Sequence, residues 1–186
     1  MNEKEFDRKL LDKFASKFTN GSLICDAGCG PSAHIGKYLY DKGIKVIGID
    51  ISDKCIELAR KNNPGMQLER GDIIKLPFGE DTFDGIISYY SIIHTPKKDI
   101  DIIFKQFSRV LKPGGFLLVA VKAGATEGYI TELLGIQIEL YFSLFTEKEI
   151  TDHFESAGFI IEYIEKRNPY DFEISNERIF AIGRKV

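Results

Sequence analysis

Along the chain, short apolar runs alternate with stretches whose apolar residues recur every three or four positions. The first pattern reads as buried strand and the second as amphipathic helix, so their alternation predicts βαβ units around a mostly parallel sheet. Phe6, Leu10, Phe14 and Phe18, with Leu11 beside them, form one stripe on an N-terminal helix within residues 1–20 that Asn20-Gly21 stops. Residues 22–25 read as a first buried strand, and a Gly-rich turn leads into a helix over 33–40. A second strand over 45–49 ends at Asp50, after which Ser52 or Asp53 can cap a helix reaching Asn62. Residues 66–69 form a weak third strand before Gly71-Asp72, and 84–89 a fourth.

The clearest helical stripe is Ile100, Ile103, Phe104, Phe107, Val110 and Leu111, ended by Pro113-Gly114-Gly115 and followed by a fifth strand over 116–121. Thr146 and Glu149 form a T-x-x-E capping box, opening a helix with Ile150, Phe154 and Ala157 on one face and Gly158 as its stop. Residues 159–164 and 178–182 are two closing strands. Between the fifth strand and the capping box, residues 123–145 carry glycines towards their start and an apolar middle that includes Ile130, Leu133, Leu134 and Leu140. They are expected to form an insertion over one edge of the sheet, acting as an acceptor-side lid hinged at Gly124 and Gly128.

Composition narrows the function classes. A chain of 186 residues, 44% hydrophobic and 28% charged, fits one domain with its own core, here expected to be the whole of 1–186. A formal net charge of −3 without a basic stripe argues against nucleic acid as the main substrate. The odd set Cys25, Cys29 and Cys55 points to free thiols in a reducing compartment, and no second Cys/His pair accompanies Cys25 and Cys29 as a metal site would require. The charged start M-N-E-K-E-F-D-R-K is no signal peptide and no apolar run approaches ~18 residues, so a cytoplasmic protein without membrane contact is expected.

The strongest chemical feature is D-A-G-C-G at 26–30, between a strand and a helix. Glycines there either let a backbone approach a ligand closely or simply make a tight turn. Asp50 stands 22 residues after Gly28 at the end of the second strand, where a carboxylate can accept hydrogen bonds from an adenosine ribose or cap the next helix. Asp72 with its following N–H can read an adenine amino edge, and Ile51 and Ile73, each following an acid, can sandwich the ring. Gly28-x-Gly30-x-x-Ala33 formally satisfies the dinucleotide fingerprint, but no second domain remains for a dehydrogenase substrate. A phosphate-binding P-loop fails on spacing, since five residues separate Gly30 from Gly36 and Tyr38 stands at the magnesium hydroxyl position.

Five segments in order, L-I-C-D-A-G-C-G, G-I-D-I-S, G-D-I-I-K-L-P-F, F-D-G-I-I-S-Y-Y-S-I-I-H-T-P and R-V-L-K-P-G-G-F-L-L-V, resemble class I S-adenosylmethionine-dependent methyltransferases over residues 22–122. T-E-K-E-I-T-D-H-F-E-S-A-G-F and the terminal strand pair are similar to the end of that family. The resemblance implies a Rossmann-like, doubly wound α/β sheet of seven strands in order 3-2-1-4-5-7-6, the last antiparallel, and S-adenosyl-L-methionine as cofactor. It implies that Gly28 and Gly30 face the methionine part, Asp50 the ribose, Asp72 and Ile73 the adenine, with Tyr89 at the cofactor wall. Asp26 would orient the glycine loop and the cofactor's amino group. The chain departs from nucleic-acid amino-methylating relatives, whose [N/D/S]-P-P-[Y/F] tetrapeptide is S-Y-Y-S here.

Methyl transfer from a sulfonium needs alignment and exclusion of water, and a base only where the acceptor must lose a proton. His94, just after the fourth strand, is the candidate base; its alternatives are a cap on the helix starting near Pro96 or packing beneath the substrate. His34 and His153 read as surface or packing residues. The expected function is methylation of a small-molecule acceptor. The rivals are a protein or RNA methyltransferase that docks through a partner, and a catalytically silent adenosyl-ligand-binding module.

Overall fold

A computed structural model describes residues 4–133 and 135–186, without the side chain of Leu133. Leu134, expected in the lid, lies outside the described residues, as does the Leu133 side chain. The described strands are β1 (Leu23–Ala27), β2 (Lys45–Asp50), β3 (Gln67–Arg70), β4 (Phe83–Tyr89), β5 (Leu111–Lys122), β6 (Glu127–Leu133), β7 (Ile136–Ser143), β8 (Phe159–Arg167) and β9 (Arg178–Lys185). The helices are α1 (Glu5–Ala15), α2 (His34–Tyr40), α3 (Asp53–Asn62), α4 (Ile100–Val110) and α5 (Glu147–Ser156). Seven strands form one sheet in the order β3-β2-β1-β4-β5-β9-β8. With the β6–β7 hairpin set aside, this is the expected 3-2-1-4-5-7-6, and β9 alone runs antiparallel to its neighbours β5 and β8.

Strand alternation divides the core. Ile24, Val46, Ile87 and Leu118 face one side and pack with Leu10, Leu11, Phe14, Ile35, Leu39 and Ile56 of α1, α2 and α3. Cys25, Ile47, Ile86 and Leu117 face the other and pack with α4 and α5. The register Ile24↔Val46 and Ile87↔Leu118 keeps each face continuous across the sheet. The stripe of α4 is fully buried, each such side chain contributing ~1.5–3 kcal/mol. The capping box at α5 forms as expected: the Thr146 hydroxyl accepts from Glu149 N, while the Glu149 carboxylate accepts from Thr146 N.

Three elements differ from expectation. α4 stops at Val110, because Leu111 already pairs with Phe83 in the β4–β5 ladder before the Pro-Gly-Gly bulge. α1 ends at Ala15, so Phe18 continues the apolar stripe from beyond the helix, packing edge-on against Phe14. Residues 123–145, expected only as an apolar insertion, build the two-stranded β6–β7 hairpin, which packs against the 3₁₀ turn Ile92–His94 after β4. There Ser143 Oγ donates to Thr95 O at 2.7 Å, and Lys97 N donates to Glu127 Oε2 at 2.8 Å. Gly124 lies at φ +152°, whereas Gly128 has no positive φ. Among the described residues no helix is long and apolar enough to cross a membrane.

Candidate active site

The chain order reverses beside β1, between β2 and β4, and the loops leaving the carboxyl ends of these strands enclose a cavity of about 770 Å3. The β1 loop is held by backbone bonds: Gly28 N and Cys29 N both donate to Ile49 O, at 2.9 and 2.8 Å. Gly28 has φ +83°, and a Cβ there would sit 2.2 Å from Ser91 Cβ, so the glycine lets the β1 and β4 loops touch. Gly30, at φ +63°, has open space where its Cβ would be. Packing therefore accounts for Gly28, while Gly30 leaves the cavity clear.

Asp50 holds the same loop from the next strand. Its Oδ2 accepts from Gly30 N at 3.0 Å and its Oδ1 from Ser52 N at 2.9 Å. The cap of α3 is Ser52, whose hydroxyl accepts from Cys55 N, so the carboxylate is not that helix's cap. Each of its oxygens keeps a lone pair for a further donor. Asp72 makes an Asx turn through Ile74 N at 2.9 Å. Ile51 is 61% exposed, a large apolar side chain at the cavity wall, and Ile73 lines the same cavity while packing against the core.

Every residue expected at the site lines this cavity except Asp26. Asp26 is buried behind the loop, where it accepts a 2.9 Å bond from Gly36 N within α2. Burial, reinforced by Asp50 and opposed by the Gly36 hydrogen bond, pushes its carboxyl up to about 7. Its observed role is thus to fix α2 against β1, at the base of the loop.

The structure adds residues the pattern did not reveal. Asp7 and Lys4 reach the cavity from α1 and the segment before it, and His34, read as surface or packing, lines it too. Tyr89 donates its hydroxyl to Asp7, and burial, then Asp7, push that phenol well above the usual range. Asp7 also pairs with Arg167 at 3.0 Å, and Arg167 with Glu173 at 2.8 Å. Burial acts to raise Glu173, yet hydrogen bonds from Arg167 and Lys4 outweigh it and hold the carboxyl at about 2. One sequence signal existed: Asp7 lies three, four and seven residues before Leu10, Leu11 and Phe14, on the buried stripe.

His94 stands where this cavity meets another. Its Nδ1 lies 2.9 Å from Tyr141 O on β7. A carbonyl only accepts, so Nδ1 carries the proton and neutral His94 keeps its Nε2 lone pair. The ring is tied to the hairpin rather than to a helix start. A second cavity of about 590 Å3 opens beneath the hairpin and shares His94 and Leu140 with the first.

Residues 24–115 match a family model described as a methyltransferase domain. The 24-methylenesterol C-methyltransferase 3 of Arabidopsis thaliana is 32% identical over 61% of this chain and 32% of its own length. The human "Probable tRNA methyltransferase 9B" is 32% identical over 85% of this chain and 34% of its own. The chain therefore spans about a third of the length of these curated relatives. The crystal structure of a SAM-dependent methyltransferase from Methanosarcina mazei superposes with a TM-score of 0.84 at 21% identity, over 95% of this chain and 97% of that one, a likeness of fold. Sheet order and domain match converge: residues 24–115 form a methyltransferase domain, carried on the seven-stranded fold of S-adenosylmethionine-dependent methyltransferases.

Proposed function

We propose that the chain transfers a methyl group from S-adenosylmethionine to a small-molecule acceptor. The observation that carries this reading is the junction at His94 and Leu140, where a cavity suited to an adenosyl ligand opens onto one of small-molecule size. In this reading Gly28 and Gly30 face the methionine part and Asp50 accepts from the ribose hydroxyls with its spare lone pairs. Asp72 and Ile73 meet the adenine, with Ile51 on the other side of the ring and Tyr89 as a wall. The exposed Ile51 at a cavity wall fits this ligand, since a flat ring would cover it. Asp26 acts at one remove, by holding the loop. When bound, S-adenosylmethionine supplies a methyl group on a positively charged sulfur.

The chain's own contribution is alignment, exclusion of water and proton removal. The hairpin covers the acceptor side as a lid. His94 Nε2 takes the proton from an acceptor O–H or N–H, and the Nδ1–H bond to Tyr141 O aims the ring and steadies the imidazolium that forms. The net charge of −3 and the acids at the first cavity, Asp7, Asp50 and Asp72, favour a small acceptor over a polyanion. The tRNA relative motivates a second reading, RNA as acceptor, carried by its coverage of 85% of this chain.

Thermal unfolding with S-adenosylmethionine, S-adenosylhomocysteine, NAD and ATP tests the cofactor. A hundredfold excess over Kd of either adenosyl ligand should stabilise by ~2.7 kcal/mol, with NAD and ATP doing little. A shift with NAD alone would end this reading. Methyl transfer to bulk transfer RNA, with none to small molecules, would replace the acceptor class.

A further inference from the structure

The cavity beneath the hairpin contains a charge that no described residue meets in an ion pair or hydrogen bond. Lys122 ends β5 half-buried, and its side chain lines this cavity and not the one at the sheet ends. Across the β5–β9 ladder it stands opposite Arg178, and like charges so placed repel. Arg178 is compensated: its Nε lies 3.3 Å from Glu173, with the side chain 5% exposed. Glu173 also takes Arg167 and Lys4, each at 2.8 Å, so three cations already surround it. Among the described residues the Lys122 ammonium has no ion pair and no hydrogen-bond partner. Burial, then the facing Arg178, push it below the usual lysine range against the opposing attraction of Glu173, a cost that an arriving anion would relieve.

The surroundings limit what that anion belongs to. Ile130, Phe142 and Leu140 supply apolar wall, and the nearby Ser143 hydroxyl is already committed to Thr95 O. We infer that this cavity takes the methyl acceptor, a small molecule with an apolar body and one compact anionic group that Lys122 binds. The inference rests on the proposed transfer reaction and names its substrate class. A lysine ammonium is a point charge suited to a compact carboxylate, and here it would anchor one end of the acceptor while His94 meets the other. Lys122 is thus a specificity residue, separate from the groups around the cofactor.

Isothermal titration of the protein saturated with S-adenosylhomocysteine tests this with a matched pair of probes, 3-phenylpropanoate and neutral 3-phenylpropanol. The acid is expected to bind about tenfold more tightly, or better. Lys122→Met should abolish that preference and Lys122→Arg should keep most of it, both with unchanged affinity for S-adenosylhomocysteine. Equal binding of the two probes, binding of neither, or a preference that survives Lys122→Met overturns the inference. Failure of S-adenosylhomocysteine to bind is a distinct result that breaks the proposed function. The probes titrated into the ligand-free protein then still decide whether Lys122 selects the acid.

Discussion

The sheet-end cavity takes its walls from loops that follow β1, β2, β3 and β4, whereas the cavity beneath the hairpin draws many of its walls from β6 and β7. In the first, the carboxylates are already engaged: Asp50 with Gly30 and Ser52, Asp72 with Ile74, Asp7 with Tyr89 and Arg167. In the second, Lys122 has no such partner among the described residues, and the hairpin is tied to the turn after β4 through Ser143 to Thr95, Lys97 to Glu127 and His94 to Tyr141. Loops locked to one another before a ligand arrives lose little freedom on binding, which favours affinity for one constant ligand. A separate hairpin that walls its own cavity around an unanswered charge suits recognition that varies between relatives. The relatives named for sterol and for tRNA share this domain with different acceptors in their names.

The largest expected effect tests the foundation of the sheet-end cavity. Asp26 has its carboxyl raised from 3.8 to about 7 in the folded chain. Below pH ~4 both folded and unfolded chains hold the proton, so nothing is lost. As pH rises towards 7 the unfolded chain releases the proton and the folded chain retains it, so stability falls until the folded group titrates. Asp26→Asn should therefore gain stability relative to wild type by roughly 4 kcal/mol between pH 4 and pH 8. Urea unfolding curves of the two proteins that keep a constant offset across that range would refute the raised carboxyl.

A smaller effect separates the two cavities. Asp50→Ala should weaken S-adenosylhomocysteine binding by about 1.5–3 kcal/mol while the fold persists, because charge-assisted bonds to the ribose are lost. The acid preference at Lys122, measured in ligand-free protein, should be unaffected. Calorimetry showing full cofactor affinity in a folded Asp50→Ala protein would reduce the carboxylate to a brace for Gly30.

The smallest expected effect runs the other way. Ile130→Asn removes apolar wall from the hairpin cavity and should weaken 3-phenylpropanoate by about fivefold, leaving S-adenosylhomocysteine unchanged. Loss of cofactor affinity in this variant would mean that the hairpin closes over both cavities as one unit.

The sheet-end cavity was far more legible in the sequence than its neighbour. Gly28, Gly30, Asp50 and Asp72 lie at strand ends, and strand ends follow from short apolar runs and turn residues. The hairpin was legible only as an apolar insertion, since its residues alternate too irregularly to announce two strands, and Ile136 and Tyr129 remain exposed at 64% and 63%. Lys122 looked like an ordinary strand-end lysine, because its partner across the ladder lies 56 residues away, at Arg178.

By itself the sequence determined the order of helices and strands outside the hairpin, the capping box of α5 and the loop that carries Gly28 and Gly30, because periodicity, capping and turn chemistry act over a few neighbouring residues. Tertiary structure decided the rest. It brought Asp7 to Tyr89 across 82 residues and to Arg167 across 160, turned Asp26 away from the cavity to Gly36, and set the hairpin against His94. Those meetings depend on how twisted layers pack and on which buried charge finds a partner, and both are settled only when distant segments exclude water together.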